Sequence, residues 1–299
     1  MMTRFKVFSV TCFLFFCLTG HIYSQAGYDL YLFSLHQSSD GHNHVYGPKF
    51  LSNFNKGGYT YQPSFTPEGD ILVSVRKAGE NQNDIWQLSL AQKKTKRLTN
   101  TKSSEFFPKM IDDGVFLSYL KKEPQETIDQ QVFRVELKSQ KVQNMTKDIH
   151  DVGNFAWMSS HELGLYRMDN SLTFLETNEN KSKRITSSVG KSISTDKSGR
   201  LLYVHKFDQD YYYLKKYFPT SSLVDVITVT PGKAEDFTLA PDGTIFMSKD
   251  HMLYSMNPSS QTSWSEVADL SLYDIKFITG LCVSDDGHQL ALVATKIKP

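Results

Sequence analysis

Six times between Gly58 and Thr295 the chain returns to one pattern: a polar turn, a run like SFTPEGDILVSV, a loop, a run like DIWQLSL, and a basic hairpin ending in RLTN. A repeat of about forty residues carrying four short strands is the signature of a β-propeller blade. Each such sheet has two apolar faces and buries them only against neighbouring sheets, so the repeat predicts a closed ring rather than separate domains.

The clearest copy runs from Tyr61 to Asn100. A turn glycine recurs at Gly69, Gly114, Gly199, Gly243 and Gly287, at intervals of 45, 85, 44 and 44 residues. The double interval hides a copy without its glycine, FAWMSSHELGLYRM, in which His161 stands near the turn and Trp157 replaces Phe65. Counting it gives six copies, anchored at Phe65, Met110, Trp157, Ile193, Leu239 and Val283. Glycine suits a tight hairpin because it takes positive φ without steric cost. The second halves, such as Asp84 to Leu90 and Gln131 to Leu137, alternate apolar and polar residues as half-buried strands do. Asp29 to Leu35 matches DIWQLSL position by position, and Lys49 to Asn53 matches Lys96 to Asn100. The N-terminal segment is therefore the second half of a blade, and the last copy, from Gly280, supplies a first half. The expected fold is all-β, a six-bladed propeller closed by N-terminal strands completing the C-terminal blade.

YQPSFTPEGDILVSV followed by NDIWQLSL and KRLTN resembles the propeller repeat of the TolB-like family. The resemblance extends from about Tyr28 to Thr295 and is strongest in the first copy; the third and fourth lack the Pro-Ser-Phe lead. It implies a six-bladed propeller in a bacterial envelope, commonly a binding or scaffolding module. Related propellers serve as domains of peptidases and as polysaccharide lyases, so the resemblance constrains fold better than function.

Residues 1–24 read as processing signal. Arg4 and Lys6 precede an apolar stretch from Val7 to Leu18, then polar residues and a small Ser24 before Gln25. This is a secretory leader by length and flanks, too short to span a membrane comfortably, with cleavage expected after Ser24. Lipidation at Cys17 is disfavoured because Phe16 before it is bulky. Residues 25–299 are then one propeller domain, exported to the periplasm or secreted, with no transmembrane segment. Cys282 is the one cysteine left, so no internal disulfide forms and packing must hold the fold. With 33 Lys and Arg against 32 Asp and Glu, loss of Arg4 and Lys6 leaves a net charge of −1. Such a balance gives no bulk attraction for nucleic acid. The basic runs Lys93 to Arg97 and Lys181 to Arg184 fall in outer hairpins, where lysines protect an exposed sheet edge.

In a propeller the loops between blades and those joining second to third strands converge on one face around the channel. The first set brings Tyr61, Gln62, Glu105, Phe107, His150, Asp151, Lys191, Glu235 and Asp236 to that face; the second begins after Arg76, Lys121, Arg167, His205 and Lys249. These, Lys121 apart, are the expected ligand-binding residues. The recurring basic residue is either a ring of cations for an anionic ligand or part of the repeat, paired with nearby carboxylates. The interleaved acids favour pairing. His150, His205 and His251 occupy non-equivalent repeat positions, so no metal site is expected, nor any other cofactor. No GxSxG elbow, HExxH, Walker loop or dinucleotide fingerprint occurs, and no catalytic residue is assigned. The expected function is a monomeric exported module holding an envelope protein segment or a glycan on the channel face. The alternative is a small hydrolase or lyase acting on an exported polysaccharide or metabolite through acids and histidines at the channel mouth.

Overall fold

A computed structural model describes residues 28–111, 114–124 and 129–296. The leader, its cleavage point and Cys17 lie outside the described residues. Strands dominate, and they form six four-stranded antiparallel sheets. The innermost strands are Tyr59–Phe65, Ser104–Ile111, Val152–Ser159, Val189–Thr195, Asp236–Leu239 and Ile275–Val283, which begin blades 1 to 5 and the closing blade. No helix among the described residues is long and apolar enough to cross a membrane.

The closing blade joins the two ends of the chain as the repeat predicts. Its inner pair, Ile275–Val283 and Gln289–Lys296, is completed by Tyr28–Gln37 and Asn43–Phe50. The seam runs without interruption from Tyr28 opposite Thr295 to Ser34 opposite Gln289. Leu30, Phe33, Leu290 and Leu292 are fully buried along it. Burying a side chain of this size contributes about 1.5–3 kcal/mol, so the seam is a substantial part of the core.

The recurring motifs prove to be folding devices. All five turn glycines have positive φ, between 70° and 87°. Blade 3 turns instead at Ser160 and His161, between Val152–Ser159 and Glu162–Arg167, and neither has positive φ. The Leu-Thr of RLTN ties the outer tail to the third strand. Leu98 N–H donates to the Ile85 carbonyl (2.7 Å), while Thr99 Oγ1 accepts from Ile85 N–H (2.8 Å). The closing blade repeats this with Leu51, Ser52 and Leu30 at 2.9 and 2.7 Å, and blade 2 with Met145, Thr146 and Val132 at 2.8 and 3.1 Å. One anchor shifts: Thr195 pairs with Leu201 as Phe65 pairs with Ile71, whereas Ile193 pairs with Tyr203. An apolar anchor was expected there; the structure uses a hydroxyl, which donates to the Trp157 carbonyl across the blade interface (2.9 Å).

Outer edges differ in their protection. Lys94–Arg97 and Lys181–Thr186 are exposed and lysine-rich, and Val142–Asn144 is only three residues long. Both are ways of blunting an open edge. Blade 4 departs from this: Leu223–Val229 exposes Leu223, Val224, Val226 and Val229 and carries one charge, Asp225.

Candidate functional site

Six equivalent residues line the central channel, one from each innermost strand: Gln62, Phe107, Asn154, Ser192, Asp236 and Gly280. Hydrogen bonds across the blade interfaces hold this tier. Phe107 N–H donates to Gln62 Oε1 (3.0 Å), Asn154 Nδ2 to the Lys191 carbonyl (2.9 Å), and Ser192 Oγ to Asp236 Oδ1 (3.0 Å). Gln62 and Phe107, each followed by proline, have φ of 50° and 52° and mark bulges in the pairing of their strands. Bulges re-aim side chains, and non-glycine residues held at positive φ are strained. The channel cavity measures about 530 Å³ and also admits Tyr28, Tyr61, Lys109, Lys191 and Cys282 to its wall.

A second cavity of about 850 Å³ opens between blades 1 and 2 and shares Tyr61 and Gln62 with the channel wall. Arg76, Arg97, Lys102 and Lys122 line it together with Glu80, Glu123, Asn81, Gln82, Asn83 and Phe106. At its lip Tyr59 and Tyr61 stack at 5.9 Å and 7°, and Tyr28 lies 5.2 Å from Tyr61. The Arg76 guanidinium rests 4.1 Å above the Tyr59 ring. A cation over an aromatic face is stabilised by the ring quadrupole, which leaves its N–H edges available for a ligand.

The structure separates the expected site residues. Tyr61, Gln62, Phe107, Lys191 and Asp236 gather in the channel, and Arg76 in the adjoining cleft. Most of the basic residues are paired. Arg167 bonds Asp151, Lys121 bonds Glu123 (2.6 Å), Lys206 bonds Glu235 (2.9 Å), and Lys249 lies 3.7 Å from Asp250. Arg76 makes no ion pair among the described residues. The histidines disperse: His150 contacts Asp129 (2.9 Å), His205 contacts Lys215 (2.9 Å), and His251 lies 3.7 Å from Asp269. Burial, then the Lys215 ammonium, lowers the His205 pKa, so its imidazole favours the neutral form.

Glu105 is not on the channel face. It is fully buried beneath the cleft, where Thr99 Oγ1 (3.1 Å) and Thr101 Oγ1 donate to its carboxylate. Burial pushes its pKa up to about 7 against the opposing effect of those hydrogen bonds. The side chain locks the tail of blade 1 to the first strand of blade 2. Asp236 is raised to about 6, mainly by burial, with Ser192 and Lys191 pulling the other way. Burial also pushes the Cys282 thiol up, which leaves it a protonated wall residue. Sequence reasoning missed Lys109. The signal was available, since the aligned residues Ser64, Ala156, Ser194, Thr238 and Cys282 are all small.

No protein-family model matches the chain, and no curated protein matches it. Solved structures do. A putative TolB from Agrobacterium tumefaciens superposes with a TM-score of 0.64 at 12% identity, over 91% of this chain and 100% of that one. TolB from Acinetobacter baumannii gives 0.56 at 12%, over 90% of this chain and 64% of that one, so this chain spans just under two thirds of that protein. An oligogalacturonate lyase in complex with manganese gives 0.58 at 13%, over 87% and 84%. The chain has the TolB-like six-bladed propeller fold.

Proposed function

We propose that this chain is an exported binding module that holds an acidic glycan in the cleft between blades 1 and 2 at the channel mouth. Arg76 carries the reading: a guanidinium without a carboxylate partner among the described residues, laid on a tyrosine stack at the lip of a polar cleft. Stacked aromatic faces offer a platform to sugar rings, and amide and charged side chains offer hydrogen bonds to hydroxyl and carboxylate groups. The polar lining favours a glycan over a protein segment, whose anchors are usually apolar or aromatic. One fold neighbour is named for oligogalacturonate, an acidic oligosaccharide, which is consistent with this chemistry. The leader over residues 1–24 supports export. The test is retention on immobilised acidic oligosaccharides: Arg76→Ala and Tyr61→Ala should each weaken capture about tenfold or more, and added salt should weaken the wild type. Equal retention of a neutral oligosaccharide would sink the proposal.

A catalytic reading draws on Asp236, whose pKa near 6 and position in the channel wall beside Lys191 would suit a general acid or base. Glu235 and His205 serve it less well, being held by Lys206 and Lys215. Oligosaccharide cleavage by the wild type that disappears in Asp236→Asn would replace binding with catalysis.

A further inference from the structure

Below the cleft, the channel wall contains a lysine that the repeat does not explain. Lys109 stands on the innermost strand of blade 2, where the other blades place Ser64, Ala156, Ser194, Thr238 and Cys282. Its ammonium donates to the Phe155 carbonyl (2.6 Å) and lies 5.1 Å from the Phe155 ring. It has no carboxylate partner among the described residues. A half-buried ammonium brings three N–H donors, and one backbone oxygen satisfies only one of them. Holding such a charge away from water is costly unless something anionic shares the site. Burial accordingly draws the Lys109 pKa down to about 8, with no neighbouring charge contributing.

The other charges of the wall do not meet this need. Asp236 is engaged by Ser192 and interacts with Lys191, so those two opposite charges largely offset one another. One positive charge is left over in a cavity of about 530 Å³. Ser194 and Thr238 add hydroxyl-bearing side chains to the same wall. We infer that the channel contains a subsite for a compact monocarboxylate bearing hydroxyl groups, a sugar acid, with Lys109 as the carboxylate's partner. One uncompensated ammonium matches one carboxylate, the hydroxyl-bearing wall matches a polyhydroxylated ring, and the volume admits a molecule of monosaccharide size with room to spare. The subsite rests on the glycan reading of the adjoining cleft, and extends it to the channel.

The experiment titrates full-length protein at pH 7 with glucuronate and with glucose, read by calorimetry and by ligand-observed NMR. Glucuronate should bind at least tenfold more tightly than glucose; Lys109→Met should abolish that preference and Lys109→Arg should restore it. Lys109→Met should melt no lower than the wild type, since it removes an unpaired charge and keeps the volume. Equal binding of the two sugars, no glucuronate binding at all, or a preference that survives Lys109→Met would overturn the subsite. If acidic oligosaccharide capture persisted in those cases, the cleft reading would stand without it. Glucuronate held through Lys109, with no oligosaccharide captured by the wild type, would instead remove the cleft reading and leave the subsite.

Discussion

Blade 1 and the closing blade are built from the same unit, one from continuous chain and the other from two ends. Their outer tails bond identically: Thr99 caps Ile85 in one, and Ser52 caps Leu30 in the other. Where each tail meets the next blade they diverge. Glu105, locked by Thr99 and Thr101, has Thr60 as its counterpart one repeat earlier, contacted by Asn55 Nδ2 at 3.4 Å. Covalent continuity is thus irrelevant to the local code, while the blade junctions are individually tailored. At this position one junction has acquired a carboxylate and the other a hydroxyl.

The largest way to break the equivalence is to remove half of the closing blade. Deleting residues 25–54 strips two strands and leaves the partner edge from Gln289 to Thr295 bare, and should abolish cooperative thermal unfolding. A native-like melt would show that the ring does not depend on closure. Next comes the junction. Because the folded pKa of Glu105 is raised above the ordinary carboxylate value, protonation favours the folded state. Its stabilising contribution is full below about pH 4.5 and is lost as pH rises to about 7. Glu105→Gln should therefore gain on the wild type between pH 5 and 7.5, by about 1–3 kcal/mol in denaturant titrations. Thr60→Val should show no comparable pH dependence. A Glu105→Gln advantage independent of pH would mean that the carboxyl is not titrating in this range.

The smallest effect is the sharpest comparison. Ser52→Ala orphans one strand N–H and should cost about 1 kcal/mol, while Thr99→Ala orphans one as well and also removes a donor to the buried Glu105 carboxylate, and should cost more. A clearly larger loss at Ser52 would mean that the seam relies on its cap more than a continuous blade does. Thr230→Ala, in the tail of blade 4, should cost less, because the Thr230 hydroxyl is buried without a hydrogen-bond partner.

The ring, its closure and its glycine turns were legible in the sequence, because periodicity, positive-φ turns and alternating strands are properties of a few neighbouring residues. Thr195 was missed because an apolar anchor drew the reading to Ile193, although the four-residue spacing to the turn glycine shared by Phe65, Met110, Leu239 and Val283 points to Thr195, as the strand pairing does. The candidate site was partly legible. Tyr61, Gln62, Phe107, Lys191 and Asp236 do converge, since repeat position alone predicts which residues face a channel. Glu105 belonged to the same positional group, yet its side chain points into the blade junction, where threonine hydroxyls receive it. Lys109 stands out in the sequence against the small residues aligned with it, but only the packed blades reveal that its ammonium reaches a backbone carbonyl of the next blade.

By itself the sequence determined the architecture: six sheets, a split blade, and outer tails pinned by Leu-Thr and Leu-Ser pairs. These follow from hydrogen bonds and side-chain alternation within about forty residues of chain. Only the tertiary structure decided which charges are spoken for. Arg167, Lys121 and Lys206 found carboxylates, whereas Arg76 settled on a tyrosine and Lys109 on a backbone carbonyl. The physical reason is that pairing and desolvation depend on groups converging from different blades, and a one-dimensional pattern does not specify those distances.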